Sequence, residues 1–519
     1  MIVFVKIILL LCISFSSNAI ELYVDEHTGQ VFTSPGKHRN KLGDFEQKDT
    51  KVKSASISDI KESESKLNTR IDNIVNKPKK PTEMKGTMDD KGFRFESNDG
   101  QFKFAFNGRL HSDGDMFSGG DIATYIDKDK SGTYDPKKDG LIQNNRLTDG
   151  TEIRRLRMEF AGQFYEDWRF KLQPEIANAG ANMTFGIRDA YIQYTGLGDY
   201  GQFFVGQSKQ PYSLQQMMSS NDMVFMERST EYEFTNRSVN RALGIRYDLP
   251  GKWWGFSTGL YGDTASTQAS GTTSQGDEGW GASLRATMAP WMKSDELFHI
   301  GASAAFRAPA TQNRTLNYRV APTAINQVFY LNTGSMPDIQ NSQFGNIEMA
   351  GVYGPLSLEA EYNATWFNSN DSATSGHELG KEILPGNGFF QGAHVDVAYS
   401  LTGESRATGY DAAQGVFRRI KPNQNLNFSD GWGAWELKSR FMWVDMNQVD
   451  NPLYQGGNQV ATTFGVNWYF NNYARAMLDW THVYSLDVGR AGINRQVLNV
   501  PGNTTGDWDY VQARVSLAF

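Results

Sequence analysis

Along most of the chain, apolar and polar residues alternate one by one. In EIRRLRMEFAGQF (Glu152 to Phe164), Leu156, Met158, Phe160, Gly162 and Phe164 take every second position, with Arg155, Arg157, Glu159, Ala161 and Gln163 between them. A period of two belongs to an extended strand whose two faces meet different surroundings. The pattern recurs. GQFKFAFNGRLH sets Phe102, Phe104, Phe106 and Leu110 against Lys103, Asn107, Arg109 and His111. DWRFKLQPEI sets Trp168, Phe170, Leu172 and Ile176 against Arg169, Lys171, Gln173 and Glu175. AWELKSRFMWV repeats it with Trp435, Leu437, Phe441 and Trp443 against Glu436, Lys438 and Arg440. From Gly92 onward such segments break at Gly, Asn or Asp clusters, which read as turns.

The first 91 residues have a different texture. MIVFVKIILLLCISFSSNA carries Lys6, an apolar stretch from Ile7 to Phe15 and small residues up to Ala19, and reads as a secretory signal peptide over 1–19. Cys12, the single cysteine, lies inside it, so the exported protein is expected to hold no disulfide. Residues 20–56 are polar and aperiodic. Ile57, Ile60, Leu67, Ile71 and Ile74 keep heptad spacing, broken by Glu64, and predict a short helix or coiled coil over 57–75. NKPKKPTEMKG then starts a linker over 76–91.

Composition alone suggests a soluble protein. Mean hydropathy is -0.52, and no apolar run beyond the N-terminus reaches the ~20 residues of a membrane helix. The net charge of -7 excludes the basic footprint of a nucleic-acid binder. Two facts reverse the soluble reading. Aromatics crowd the ends of segments (Trp253, Trp254, Trp280, Trp291, Trp366, Trp468, Trp480, Tyr484), as the interfacial girdles of a membrane barrel require. The chain also stops on YVQARVSLAF, with Val511, Ala513, Val515, Leu517 and Phe519 on one face. The expected fold is all-β: a transmembrane antiparallel barrel over 92–519, preceded by the short helical segment. At roughly 25–28 residues per strand and connection it holds about 16 strands, with an aqueous interior.

DGQFKFAFNGRLHSD (Asp99 to Asp113), EIRRLRMEFAGQFYEDWRFKLQ (Glu152 to Gln173), IRDAYIQYTG (Ile187 to Gly196), VGQSKQPYSLQQMMSSNDMVFMERS (Val205 to Ser229) and the final VQARVSLAF together resemble the phosphate-selective porins O and P. The resemblance implies an outer-membrane homotrimer in a Gram-negative bacterium, surrounded by outer-membrane lipid and passing small anions or other hydrophilic solutes without an enzymatic step. It also implies a loop folded into the pore, here about 211–240, and a basic constriction with a nearby acid. Carried over by position, the wall arginines of the anion path fall on Arg109, Arg155, Arg157 and Arg169, with Asp189 as the strand acid and Arg228 as the loop arginine; Lys103 and Lys171, inward by alternation, join that path. The loop itself departs from the family. It has no lysine, and it holds Asp222, Glu227, Glu231 and Glu233 against Arg228 and Arg237. Lys209, just upstream, is the substitute, although its parity matches the apolar Phe203 and Val205. Later inner positions balance Arg285, Arg307, Lys438, Arg440 and Arg514 against Glu348, Glu359, Glu361, Asp396 and Glu436, so one wall is expected to be positive and the other mixed.

Two alternatives remain open: a general or weakly cation-selective porin, and a surface-binding barrel acting through long loops. The second draws on DKDKSGTYDPKKD, where Asp127, Asp129, Ser131, Thr133 and Asp135 follow the first half of a calcium loop. Lys138 stands where a bidentate Glu belongs, and a polar, solvated loop is the plainer reading. GLGDYG (Gly196 to Gly201) and GFSTG (Gly255 to Gly259) match phosphate-loop and nucleophile-elbow patterns by letter, but lack the strand-to-helix context and read as barrel features. His299 and His394 show no metal-ligand spacing and read as pore-lining.

Overall fold

The computed structural model describes residues 83–519 apart from loop stretches (chiefly 127–134, 177–184, 234–239, 265–276, 370–376, 383–386, 448–454, 489–497 and 500–505) and a few single positions. Of the first 82 residues it describes 23–25, 31–32 and 38–41, which form a three-stranded sheet of Tyr23–Asp25, Val31–Phe32 and Arg39–Lys41. The expected signal peptide and the 57–75 helix lie outside the described residues.

Sixteen antiparallel strands close into a barrel. They are β1 (Phe102–Ser118), β2 (Gly150–Phe164), β3 (Trp168–Ile176), β4 (Phe185–Tyr194), β5 (Gln202–Lys209), β6 (Arg241–Pro250), β7 (Trp254–Tyr261) and β8 (Trp280–Met292). There follow β9 (Glu296–Ala308), β10 (Ile339–Tyr353), β11 (Leu356–Ser369), β12 (Gly388–Ser400), β13 (Ala434–Asn447), β14 (Gln455–Tyr469), β15 (Ala474–Val488) and β16 (Trp508–Ala518). Each pairs with the next, and β16 pairs with β1 from Asp509–Ser118 to Ala518–Arg109. Phe519 and Gly108 complete that seam by exchanging two backbone hydrogen bonds of 3.0 Å.

Burial is inverted relative to a soluble protein, as a barrel in lipid requires. Met116, Ile192, Val205, Leu260 and Ile347 are exposed on the outside, while Arg155, Arg285, Glu348 and Arg514 are buried within. GLGDYG forms the tight turn between β4 and β5 around Gly198–Tyr200, and Ser257 lies within β7, so neither pattern forms a catalytic loop. The stretch expected as a linker contains a strand: Met84–Asp89 pairs with Gly92–Ser97. That hairpin runs along β1 below the point where β16 ends, with Phe93 and Phe106 packed on Phe519.

One end of the barrel has short turns (165–167, 195–201, 251–253, 293–295, 354–355 and 470–473), which marks it as periplasmic. One connection at that end breaks the rule. Residues 401–433 turn back into the lumen, where Ala407, Val416 and Phe417 are buried against Leu297, Ala350 and Val352 of the wall. From the opposite end the loop 210–240 enters, as expected. Residues 309–338 enter beside it, with Tyr318, Tyr330, Leu331 and Met336 packed on Phe344, Phe367, Phe390 and Trp508. The lumen is therefore not simply water-filled. Each inserted segment brings aromatic and aliphatic side chains that form a hydrophobic cluster against inward-facing apolar wall residues.

Candidate functional site

The three insertions leave a lumenal cavity of about 730 Å³ lined chiefly by the wall of β1 to β6, with residues of β13 to β16 on another side. Its lining holds fourteen cationic side chains and six acidic ones, so the expected positive wall is present. Of the residues expected on the anion path, Arg109, Arg155, Arg157, Arg169, Lys171, Asp189, Lys209 and Arg228 all line it. Lys103 does not; it pairs with Glu96 of the N-terminal hairpin at 2.8 Å.

Loop 210–240 narrows the space and is tied to the wall at several points. Its short helix α1 (Leu214–Met217) points its free N–H groups at Glu361, which accepts from Leu214 N at 3.2 Å and Gln215 N at 2.7 Å. Acid at a helix N-terminus offsets donors that would otherwise be unpaired. The carbonyl end of α1 is met by cations. Lys209 Nζ donates to Met217 O at 3.1 Å and Met218 O at 2.7 Å, and Arg228 donates to Gln215 O at 2.6 Å and Met218 O at 3.0 Å. Lys209 thus points inward, against its parity. Gly206, at φ 131°, bends the end of β5, and Ser208 and Lys209 both line the cavity beyond it. A side chain at 206 would also meet the backbone of Ala190 and Tyr191.

Around this constriction the charges fall into two kinds. Some cations carry a carboxylate partner: Arg241 with Asp189 at 2.7 Å, Lys171 with Glu159 at 3.0 Å, and Arg157 with Glu175. Others are held by neutral groups. Arg109 donates to Ser220 Oγ at 2.9 Å, while Lys209 and Arg228 donate to carbonyl oxygens. Lys209, Arg228, Arg241, Asp189 and Arg109 all line the same cavity. A cation bonded only to neutral acceptors has no bonded carboxylate competing with an anion in the lumen.

Seven arginines of the lining (Arg154, Arg188, Arg241, Arg246, Arg319, Arg418 and Arg440) are absent from the sequence-derived path, and two of them sit at β-bulges. Register across β1 and β2 shifts between His111–Arg155 and Ser112–Ile153, which leaves Arg154 as the extra residue and turns it inward with Arg155. Register across β3 and β4 shifts between Gln173–Asp189 and Pro174–Ile187, which does the same for Arg188. Pro174 is the one available signal, because a proline inside a strand marks a bulge or an edge. Arg188 pairs with Glu175, alongside Arg157.

The acids that weakened the sequence argument are largely neutralised. Glu227 accepts both Nη1 and Nη2 of Arg155 at 2.8 Å, Nη2 of Arg514 at 2.7 Å and Nε of Arg154 at 3.2 Å. Burial would raise its carboxyl, and these three arginines outweigh burial and hold it well below the usual carboxylate range. Glu231 is bound to His394, and Asp222 accepts from the backbone N–H of Arg419 at 3.3 Å. On the remaining wall the mixed charges pair with each other: Arg285 with Glu348, Arg440 with Asp396 at 2.7 Å, and Arg514 with Asp113 at 2.6 Å.

The two histidines are correctly placed on the inner face but lie beneath the insertions rather than along the cavity. His394 holds loop 210–240 through Glu231, and His299 Nδ1 meets the Tyr410 hydroxyl of segment 401–433 at 2.7 Å. Glu359, His394 and Asp396 gather in the same buried region, yet Arg440 takes both oxygens of Asp396 at 2.7 Å. Of the five candidate calcium ligands, only Asp135 is described; its carboxylate accepts from Lys137 N at 2.9 Å. Asp127, Asp129, Ser131 and Thr133 lie outside the described residues.

A closed, lipid-facing barrel with a charged lumen narrowed by its own loops is a channel of the outer membrane. The chain belongs to the phosphate-selective porin O and P family, whose profile matches residues 132–511. Porin O of Pseudomonas aeruginosa is 24% identical over 412 residues, covering 73% of this chain and 83% of that protein. Among solved structures, OmpT of Vibrio cholerae aligns over 81% of this chain and 98% of its own, at 10% identity and a TM-score of 0.43. The outer-membrane channel DcaP of Acinetobacter baumannii aligns over 82% and 99%, at 13% identity and a TM-score of 0.40. The protein is thus an outer-membrane porin, and its work is conduction rather than catalysis.

Proposed function

We propose that this porin passes small hydrophilic solutes by passive diffusion with a preference for anions, inorganic phosphate and similar oxyanions among them. The observation that carries the reading is the excess of cationic over acidic side chains in the cavity lining. An anion entering it meets several guanidinium groups in succession, each a fork of donors that stays charged at any physiological pH. A row of such partners lets an ion exchange one for the next and leave again, which conduction requires. Asp189, paired with Arg241, keeps one acid beside the constriction and limits how tightly an anion is held. Three of the four loop acids that favoured a cation-tolerant channel, Asp222, Glu227 and Glu231, are engaged by arginine, histidine or backbone, and this weakens that alternative. The trimeric assembly implied by the resemblance belongs to the same proposal.

Planar-bilayer recordings across a KCl gradient test it. An anion-selective reversal potential, with chloride current blocked by low phosphate, is the expected result. A potential near zero or of cation sign, unaffected by phosphate, would reduce the family's selectivity to ancestry in this chain. Native mass spectrometry of detergent-extracted protein reads the assembly, and a monomer would refute the trimer.

A further inference from the structure

Three inward side chains share one row across neighbouring strands next to the barrel's seam. Arg475 of β15 stands opposite Ser516 of β16, which stands opposite His111 of β1. All three are buried, Arg475 to 1% exposure and His111 to 0%. Each carries a polar atom without a hydrogen-bond partner: Arg475 Nε and Nη2, Ser516 Oγ, and His111 Nδ1. Their other bonds point away from the row. Arg475 Nη1 donates to Met223 O at 2.9 Å, and His111 Nε2 meets Asn221 Oδ1 at 3.2 Å.

A second guanidinium reaches this place from the periplasmic insertion. Arg419 donates to the carbonyl oxygens of Asn472 and Ala518, at the ends of the same strands. Its backbone N–H bonds Asp222, the neighbour of Met223 whose carbonyl takes Arg475 Nη1, so both arginines gather at one stretch of loop 210–240; burial and then the charge of Arg475 lower the pKa of Arg419 to about 10. Among the described residues no carboxylate pairs with the guanidinium of either. Asp479 is held by Lys438, Glu436 accepts from Asn467 and Tyr469 at 2.8 Å, and Asp222 accepts from the backbone N–H of Arg419 and pairs with Arg418 at 3.9 Å. Arginine does not shed its proton to escape burial, and the buried guanidinium of Arg475, with two nitrogens unbonded and no carboxylate partner, is strongly unfavourable as it stands.

We propose that a small inorganic anion binds between Arg475 and Arg419, against Ser516 and at the edge of His111, and clamps the periplasmic insertion to the barrel wall. Chloride and phosphate share the required chemistry: compact, negative, and able to accept from several N–H and O–H groups at once. The site is separate from the conducting cavity, because none of these four residues lines it. Its occupancy governs how firmly segment 401–433 is held rather than which ion crosses.

Crystals of the full-length protein soaked in sodium bromide, with diffraction measured at the bromine edge, give the direct test. A bromide peak within hydrogen-bond reach of both Arg475 and Arg419 is expected. A map with bromide only in the cavity, or with none, overturns the proposal. In a second measurement, thermal unfolding is compared in sodium chloride and in sodium gluconate, whose anion is too bulky for the site. The intact protein is expected to melt several degrees higher in chloride, and Arg475→Gln to lose most of that difference. An undiminished difference in the variant overturns the clamp. Anion binding in the cavity contributes to both proteins alike and drops out of the comparison. Should Arg475→Gln fail to fold, the bromide map still decides.

Discussion

What an arginine does in this lumen depends on what already holds it. Arg155 and Arg157 have carboxylate partners in Glu227 and Glu175, whereas Arg109 and Lys209 are satisfied by hydroxyl and carbonyl oxygens. Removing one of the latter takes an uncompensated charge and a charge-assisted bond worth about 1.5–3 kcal/mol from a bound oxyanion. Arg109→Gln or Lys209→Gln is therefore expected to raise the half-blocking phosphate concentration about tenfold in bilayer recordings, and Lys103→Gln to leave it unchanged. Glu227 gives a second test. Its carboxyl is lowered in the folded protein, so its stabilising contribution is complete above the ordinary carboxylate pKa and is lost as pH falls through the lower, folded value. Thermal unfolding should show little loss attributable to Glu227 between pH 7 and 5 and a decline below pH 4 that Glu227→Gln flattens. Most of this lining was legible in the sequence, since strict alternation put Arg109, Arg155, Arg157, Arg169 and Lys171 inward. Alternation failed at Arg154, Arg188 and Lys209, where two bulges and one bent glycine shift the parity. A one-residue slip exchanges the faces of everything beyond it, and Pro174 betrayed one of the two slips.

At the scale of elements, the same bend can be tested directly. Gly206→Val forces a branched side chain into a backbone region that costs roughly 1–3 kcal/mol for an ordinary residue, against the backbone of β4. The variant is expected to unfold at lower temperature and to bind phosphate more weakly, because Lys209 loses its inward direction; an unchanged phosphate block would show that the bend does not aim it. The segment 401–433 is the larger surprise. Its sequence has the Gly, Asn and Asp content of a surface connection, and Val416, Phe417 and Ile420 are too few to announce a core of their own. Val416 and Phe417 are buried because the wall offers Leu297, Ala350 and Val352 on its inner face, and Ile420 because it meets Ala434 and Tyr469, complements visible only once the barrel is closed. Arg285 fixes the segment through the carbonyls of Gln414 and Gly415, at 2.7 and 2.8 Å. Replacing residues 410–418 with a short Gly-Ser link is expected to increase single-channel conductance several-fold. No increase would mean that loop 210–240 alone sets the resistance.

For the whole molecule, closure rests on β16 meeting β1, and its last pairing is between Phe519 and Gly108. Phe519 also packs edge-on against Phe93 at 5.8 Å between ring centres and against Phe106 at 5.9 Å, which joins seam and hairpin in one cluster. Deleting Phe519 should slow barrel formation while leaving the finished channel's selectivity intact, as followed by heat-modifiable mobility on gels and by reversal potential. The barrel itself was readable from end to end because its strands repeat one physical rule. The hairpin of Met84–Asp89 and Gly92–Ser97 was not, since it lies in a stretch rich in lysine and proline whose first half does read as a connector. The one-by-one alternation has a consequence for the life of the chain before it reaches its membrane. Export machinery judges a nascent chain over windows of about 19 residues, and in such a window each greasy side chain here is diluted by a polar neighbour. A polypeptide written this way presents no stop signal to the inner membrane, and its fatty surface comes into being only when the strands align at the destination.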